Sequence, residues 1–583
     1  MDGNSFTLGL DNAQRLIYLF ITEQLQADGQ KSLPLDKGSF ILHNAQLPIS
    51  RLPNEVLIEI FLYFVDSTPV IVLLSHVCRK WRDVLVHYPS VWSSPNFSRP
   101  QLAKEMIQRS KPGPLHIHLN SLRDRIIGRY IITPMSLSVL IEALAETSRI
   151  QSLYLTSGCA TFDIIQRLLL LLVRPMTSLR ELYVHTYELT TVWVEFSDTF
   201  FDDMPPCLEV LDLDYCKMPW SRAVFTNVTS LSLRGDGLTN LPTGLQFLDA
   251  LAGMPRLEYL CLIDVFPLSF ADSETSTVVE LPRLRTFFPQ ALCPSQSRSC
   301  VETLSRLLFP HEASIWTHIS YDQTAFQPSF QPSLPYGTSE IFHLLFDKVA
   351  ARGTIQALQL YTRSLDNNNL YVNFWSDLSL CTTDGSFQLS DGLRQPSVGA
   401  VLEWYDILEW PPAEAIIRQL GQSMSLSSLV VLDVRLLDEN ESVQMLFELV
   451  VHSTTLRQII VGGEEAYVLI SILGGIAGDT TRSRTPPFPA LQDLDFWNVN
   501  FGSRTFHSHL LPLLVGLESR PEKLQRLSLK KCNNLTTRDI EQLREMTVEL
   551  RVESVVAGIK AYSVDVDSEE EEDGRVNFGN IEE

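Results

Sequence analysis

Leu52-Pro53-Asn54-Glu55-Val56-Leu57-Ile58-Glu59-Ile60-Phe61, then Val77-Cys78-Arg79-Lys80-Trp81, then Val91-Trp92 follow one another in a short stretch whose spacing decides how the first part of the chain folds. Pro53 suits the first turn of a helix, where the N–H it lacks would have no partner in any case. Val56, Leu57, Ile60, Phe61 and Phe64 recur at helical spacing. Thr68-Pro69 reads as the cap and first turn of a second helix through Val70, Val72, Leu73 and Leu74. Val77, Trp81, Val84 and Leu85 carry the apolar stripe onward until Pro89 forbids further helix. So many large apolar groups in so short a segment cannot all be buried on one another. Part of that surface should meet something else.

The order L-P…E-V-L…I-F…V-C-x-x-W…V-W resembles an F-box along its whole length, with one departure in the tight polar connection Asp66-Ser67-Thr68-Pro69. The resemblance implies that Leu52, Pro53, Val56, Leu57, Ile60, Phe61, Val77 and Trp81 dock a Skp-type adaptor, which in turn holds a cullin scaffold.

At 583 residues the chain exceeds one compact core, so the small module should be joined to one extended or two globular domains. A net charge of −23 argues against nucleic acid, whose binding needs a basic face, and against an anionic membrane surface. The nine cysteines show no C-x-x-C pair and no zinc spacing, which suits a reducing compartment, cytoplasm or nucleus. No secretory signal is visible at Met1, and the longest apolar run, Leu168 to Val173, is far too short to span a bilayer.

Residues 1–46 hold one amphipathic pattern and a polar linker, and residues 47–98 the F-box. From about 99 to 562 a phrase L-x-x-L-x-L takes over. It runs through Ile150-Leu153-Leu155, Leu179-Leu182-Val184, Leu208-Leu211-Leu213, Val228-Leu231-Leu233 and Leu257-Leu260-Leu262, with a weaker Leu284-Phe287. It returns at Ile355-Leu358-Leu360, Leu429-Leu432-Val434, Leu456-Ile459-Val461, Leu491-Leu494-Phe496 and Leu524-Leu527-Leu529. The first five copies start 29, 29, 20 and 29 residues apart, enough for a strand, a turn, a helix and a return loop. Single strands alternating with helices imply a parallel sheet. Near 288–354 and 361–428, where the phrase lapses, insertions or strands whose pattern has drifted are expected, and residues 563–583, with nine acids against one Arg, read as an acidic disordered tail.

The copies resemble irregular leucine-rich repeats. The last carries Cys532-Asn533-Asn534 after its strand, the Cys/Asn position that closes the turn, and Cys216 is a looser echo. Together the two modules resemble the fungal-type F-box/leucine-rich-repeat family. The expected fold class is α/β: a small all-helical F-box followed by an irregular repeat solenoid with a curved parallel sheet.

No catalytic motif, cofactor loop or complete metal site stands out. His116-x-His118 lacks a third ligand nearby, and Glu403, Trp404, Tyr405 and Asp406 beside Trp410 show no catalytic geometry. No cofactor, no metal and no active site are expected. Side chains alternating with the buried leucines should form a protein-binding face, which makes Tyr154, Tyr183, Asp212, Asp214, Arg234, Asp433, Arg435, Asp495, Trp497 and Lys530 candidates for contact with a target protein. The resemblance implies the substrate-recognition subunit of an SCF-type E3 ubiquitin ligase. An alternative that needs the same docking residues is a scaffold that binds the adaptor and delivers nothing for degradation.

Overall fold

A computed structural model describes residues 48–64, 68–119, 133–157, 162–172, 176–186, 193–196, 207–217, 220, 226–267, 270, 278–321, 355–362, 369–375, 398–404, 417–418, 420–421, 426–435, 440–475, 486–502 and 509–553. Residues 1–46 and the acidic segment 563–583 lie outside them. The chain divides into two compact units, one comprising residues 1–353 and 392–409, the other 354–391 and 410–583. The stretch 99–562, expected as one solenoid, is therefore shared between two units.

The first unit opens with three helices, α1 (Asn54–Leu62), α2 (Thr68–Val77) and α3 (Arg79–Val86), followed by the single turn Pro89–Trp92. Pro53 stands at the N-cap of α1 and Cys78 at that of α3, where its Sγ accepts from the Trp81 amide at 3.5 Å. Leu57, Phe61, Ile71, Leu74, Leu85, Val91 and Trp92 form the core of this bundle. That core does not end at residue 98. Helix α4 (Pro100–Arg109) adds Met106 to it, with Leu102 packed alongside.

Strand β1 (Leu115–Leu119) then begins a sheet that continues through β2 (Ile150–Ser157), β3 (Glu181–Thr186), β4 (Val210–Asp214), β5 (Ser230–Arg234), β6 (Tyr259–Ile263), β7 (Thr286–Ala291) and β8 (Ser314–Tyr321). All neighbours are parallel. β1 is the edge strand, and on its open side the His116 N–H donates to the Ser93 carbonyl of the helical module at 2.9 Å. Helices α5 (Pro134–Leu144), α6 (Phe162–Leu171), α7 (Gly244–Ala252) and α8 (Ser297–Ser305) supply crossovers.

The second unit has its own run. Strands β9 (Ala357–Thr362) and β10 (Asn369–Trp375) pair as an antiparallel hairpin. β11 (Val398–Trp404) belongs to the first unit, where it pairs with β8, and the second unit continues with β12 (Val431–Arg435), β13 (Gln458–Gly462), β14 (Asp493–Trp497), β15 (Leu524–Lys530) and β16 (Thr547–Glu553). β9 lies parallel to β12, and β12 through β16 follow one another as parallel neighbours, joined by α9 (Asn440–Val450), α10 (Glu465–Leu473), α11 (Leu510–Glu518) and α12 (Thr537–Glu545).

The leucines of the phrase explain the sheets. Leu153, Leu155, Leu182, Val184, Leu211, Leu213, Leu231, Leu233, Leu260 and Leu262 are all buried, while the residues alternating with them in β3, β4 and β5 keep part of their surface in solvent. The closing turn also recurs. Two residues past the last apolar position the backbone turns left-handed at Tyr215 (φ 53), Asp264 (φ 53), Gly463 (φ 61), Asn498 (φ 55) and Lys531 (φ 52). Each of these amides donates to the next strand, to the carbonyls of Arg234, Gln290, Trp497, Lys530 and Glu553. For the four non-glycine residues that conformation costs energy, which the hydrogen bond helps offset. One place on, Cys216 and Cys532 are buried and their thiols reach the Val184 and Phe496 carbonyls of the neighbouring strand.

Two expectations need correcting. The fold is mixed α/β with a mostly parallel sheet, but the sheet is not curled. Curvature would need an outer layer wider than the strand spacing at every step. Among the described residues some steps carry a helix, whereas the steps after β3 and β6 carry the short extended pieces Val194–Glu195 and Val279–Glu280. Within the stretches read as insertions, residues 288–321 hold the end of β7, α8 and β8, while β10 and β11 fall within 361–428.

Candidate functional site

Helix α1 carries apolar residues on two adjacent stripes, and the fold buries only one. Leu57 and Phe61 are fully buried, whereas Val56 is 42 % and Ile60 37 % exposed, with Tyr63 one turn further on. Helix α2 repeats the arrangement: Ile71 and Leu74 face the core, Leu73 and Val77 face out. Pro53 is exposed, and Leu52 and Trp81 are half-buried, Trp81 meeting Phe61 edge-on at 5.1 Å. The eight residues expected to dock an adaptor therefore divide. Pro53, Val56, Ile60 and Val77 offer surface, Leu57 and Phe61 are core, and Leu52 and Trp81 lie between.

Two clamps hold this module in shape. The Lys80 ammonium donates to the Ser50 and Leu52 carbonyls at 2.8 Å each, which pins the approach to α1 against α3. The Trp92 indole N–H donates to the Leu85 carbonyl at 2.7 Å, and the Arg109 guanidinium lies 4.8 Å from the ring centroid. Residues 49–98 match the F-box-like family model. The helical module is an F-box-like domain.

Such a domain is a protein-interaction module, so the exposed stripes of the F-box are a candidate contact surface. No curated protein matches the chain. No helix among the described residues is long and apolar enough to cross a membrane. Seven of the cysteines, Cys78, Cys207, Cys216, Cys261, Cys293, Cys300 and Cys532, are free thiols. Burial pushes the Cys261 thiol up to about 11, and Cys216 and Cys300 are raised for the same reason, so these three are poor nucleophiles.

The second candidate surface is the sheet face opposite the leucines. In the first unit the register lines up His118, Tyr154, Tyr183, Asp212 and Ser232 across β1 to β5. His118 stacks on Tyr154 at 5.8 Å, and Tyr154 meets Tyr183 at 5.4 Å. His185 sits beside them, its Nδ1 3.4 Å from the Tyr154 hydroxyl and its Nε2 3.1 Å from Asp212 Oδ1. Burial works to lower the His185 pKa, but Asp212 overrides it and the net shift is upward. Burial raises Asp214, despite His185 and Arg234 nearby. Arg234 is exposed, so Tyr154, Tyr183, Asp214 and Arg234 gather on one face. Further along the same face a second aromatic group assembles, with Tyr259 to Phe288 at 5.6 Å and Phe288 to Trp316 at 6.2 Å.

In the second unit Trp497 is half-buried, on the face away from the buried Leu494 and Phe496. The Arg435 guanidinium and the Lys531 ammonium each lie 5.7 Å from its ring. Gly462 stands between Arg435 and Trp497, and a Cβ there would meet the Trp497 ring at 3.2 Å. Lys530 is half-buried and in register with Trp497. Asp433 is not a surface residue. It is fully buried, held by Arg435 through two 2.8 Å hydrogen bonds and by Gln359 Nε2 at 2.8 Å. Tyr405, Asp406 and Trp410 lie outside the described residues.

His118, His185, Tyr259, Phe288 and Trp316 belong to this face beyond the residues that alternation alone had assigned to it. His185, Tyr259 and Phe288 alternate with buried positions of the phrase as Tyr154 and Tyr183 do, so their signal was present in the phrase itself, whereas His118 lies in β1, which carries no copy of it.

Proposed function

We propose that the chain is the substrate-recognition subunit of an SCF-type ubiquitin ligase. Its F-box docks a Skp-type adaptor and, through it, a cullin scaffold, and its leucine-rich-repeat-like sheet receives a target protein. One observation carries the first half: Val56, Ile60 and Val77, with Leu73 and Tyr63 beside them, are large apolar residues that this small bundle leaves in water. The aromatic and charged face of the sheets supports the second half, because tyrosine, tryptophan and arginine concentrate binding energy at protein interfaces. The mechanism is proximity. The chain forms and breaks no bond, but raises the effective concentration of a target lysine near a charged ubiquitin carrier.

The test is co-purification of the full chain with a Skp-type adaptor, with and without Val56→Asp and Ile60→Asp together. Loss of the adaptor in the folded double variant supports the reading, and undiminished binding removes it. Proteins stabilised when that variant replaces the wild type in cells would be the targets. An unchanged proteome alongside intact adaptor binding by the wild type would favour a scaffold that delivers nothing for degradation.

A further inference from the structure

Metal-ligating side chains converge on the outer face of the first unit at a place no motif announces. One ligand atom from each of His185, Asp212 and Asp214 lies within 4.8 Å of the others. We infer that these three residues bind a divalent first-row metal ion, Zn2+ being the best fit, with the Thr156 hydroxyl completing the oxygen set.

Four observations carry this. Asp212 Oδ1 approaches His185 Nε2 to 3.1 Å, yet that buried nitrogen has no aligned hydrogen-bond partner. Two ligands of one tetrahedral ion, each about 2.0–2.1 Å from the metal, stand roughly 3.3 Å apart, so the approach is that of co-ligands. On the far side of the ring Nδ1 faces the Tyr154 hydroxyl at 3.4 Å, the kind of outer partner that orients a metal-bound imidazole and leaves Nε2 for the ion.

Thr156 is the third observation, and an independent one. It is 1 % exposed and its Oγ1 has no hydrogen-bond partner, an expensive state for a buried hydroxyl. Leu153 and Leu155 point to the core, so the pleat turns Thr156 to the outer face, where it is the direct cross-strand neighbour of His185. The fourth is charge. Two half-buried carboxylates and a neutral imidazole balance a doubly charged cation, whereas the one arginine in register with Asp214, Arg234, is exposed.

The donors also choose the ion. One nitrogen and oxygens, with no thiolate, suit zinc or manganese more than a soft metal. Cys216, two residues past Asp214, is not part of the set, because its thiol reaches the Val184 carbonyl. Arg234 competes for Asp214, so affinity should fall below that of a closed structural site. The ion would tie β3 to β4 at the centre of the proposed target face. Its binding does not depend on that face receiving a target, and the test involves none.

The experiment titrates the full chain, stripped with chelator, with Zn2+ in a calorimeter and with Co2+ by absorbance. Wild type should take up one equivalent saturably. His185→Gln and Asp214→Asn should each weaken binding at least tenfold, and Thr156→Val by a smaller factor. His311→Gln, which removes a surface imidazole paired with Glu312, should change nothing. Absence of saturable uptake, or equal uptake by wild type and His185→Gln, would mean an adventitious ion only and overturn the inference. Should the variants fail to fold, the wild-type Co2+ spectrum decides. Ligand-field bands without thiolate charge transfer are expected, and missing bands or a thiolate band would refute the site.

Discussion

Val56 and Leu57 are neighbours in α1 and face opposite environments, Leu57 sealed in the bundle and Val56 standing in solvent. Substitutions at the two should therefore fail differently. Val56→Asp with Ile60→Asp should abolish adaptor capture while leaving the melting temperature within a few degrees of wild type. Leu57→Ala should cost about 2–5 kcal/mol of stability by opening a cavity, and lose binding only as the bundle unfolds. Parallel thermal melts and adaptor pull-downs distinguish the two. A destabilised Val56→Asp protein would count against the division.

Asp264 supplies a pH test. Burial pushes its carboxyl up to about 6, although Oδ1 accepts the Cys293 amide at 2.8 Å. Between roughly pH 4 and 6 the folded chain keeps a proton that the unfolded chain has lost, so stability falls as pH rises through that window and the full cost is present above it. Asp264→Asn keeps the acceptor and tolerates the left-handed backbone. It should raise stability by roughly 2–3 kcal/mol at pH 7.5 and by almost nothing at pH 4. Denaturant melts at the two pH values check this, and an equal gain at both would contradict it.

Gly516 lets α11 approach the end of α10. A Cβ there would meet the Leu473 carbonyl carbon and oxygen at 2.7 Å, and backbone cannot swing aside. Alanine favours a helix over glycine by about 1 kcal/mol, yet Gly516→Ala should still destabilise the second unit by roughly 1–3 kcal/mol. Urea titration followed by hydrogen exchange in α10 and α11 reports it. A stabilised variant would show that the helices can part at little cost.

Asp433→Ala should be among the most damaging single changes, because it strands the Arg435 guanidinium and Gln359 amide beside a buried void. A loss of about 3–5 kcal/mol is expected. Replacing Asp433 by Leu and Arg435 by Met together should recover most of it, since an apolar pair leaves no unpaired charge. Double-mutant cycles measure this. No recovery in the paired variant would argue that shape rather than charge holds the site.

Much of the architecture was legible because the last two apolar positions of the phrase, two residues apart, both bury and alternate within a strand, and every copy of the phrase with a full set lies at a strand. β8 was missed because Ile315-Trp316-Thr317-His318-Ile319 alternates without leucine, and β16 because an edge strand such as Thr547–Glu553 keeps Val548 in water. The surface was less legible. Nothing in α1 alone says which of two adjacent apolar stripes will be covered, since only packing of α3 and the Trp92 turn against it decides. Asp433 looked solvated because alternation assigns a face, while the hairpin strand β9 that brings Gln359 onto it is distant in sequence. His185, Asp212 and Asp214 come from neighbouring repeats, so no local spacing could have joined them.

The Ser93 carbonyl that receives the His116 amide gives the F-box a second task. An uncovered edge strand invites pairing with other chains. By occupying the free rim of β1, and by sharing Met106 of α4 with its own core, the F-box acts as a terminal cap for the sheet. Excising the whole domain, residues 49–98, to separate adaptor binding from target binding would therefore leave a sticky margin and a protein prone to self-association. Point changes at Val56 and Ile60 leave that seal in place, and they are the cleaner instrument for dissecting this chain in cells.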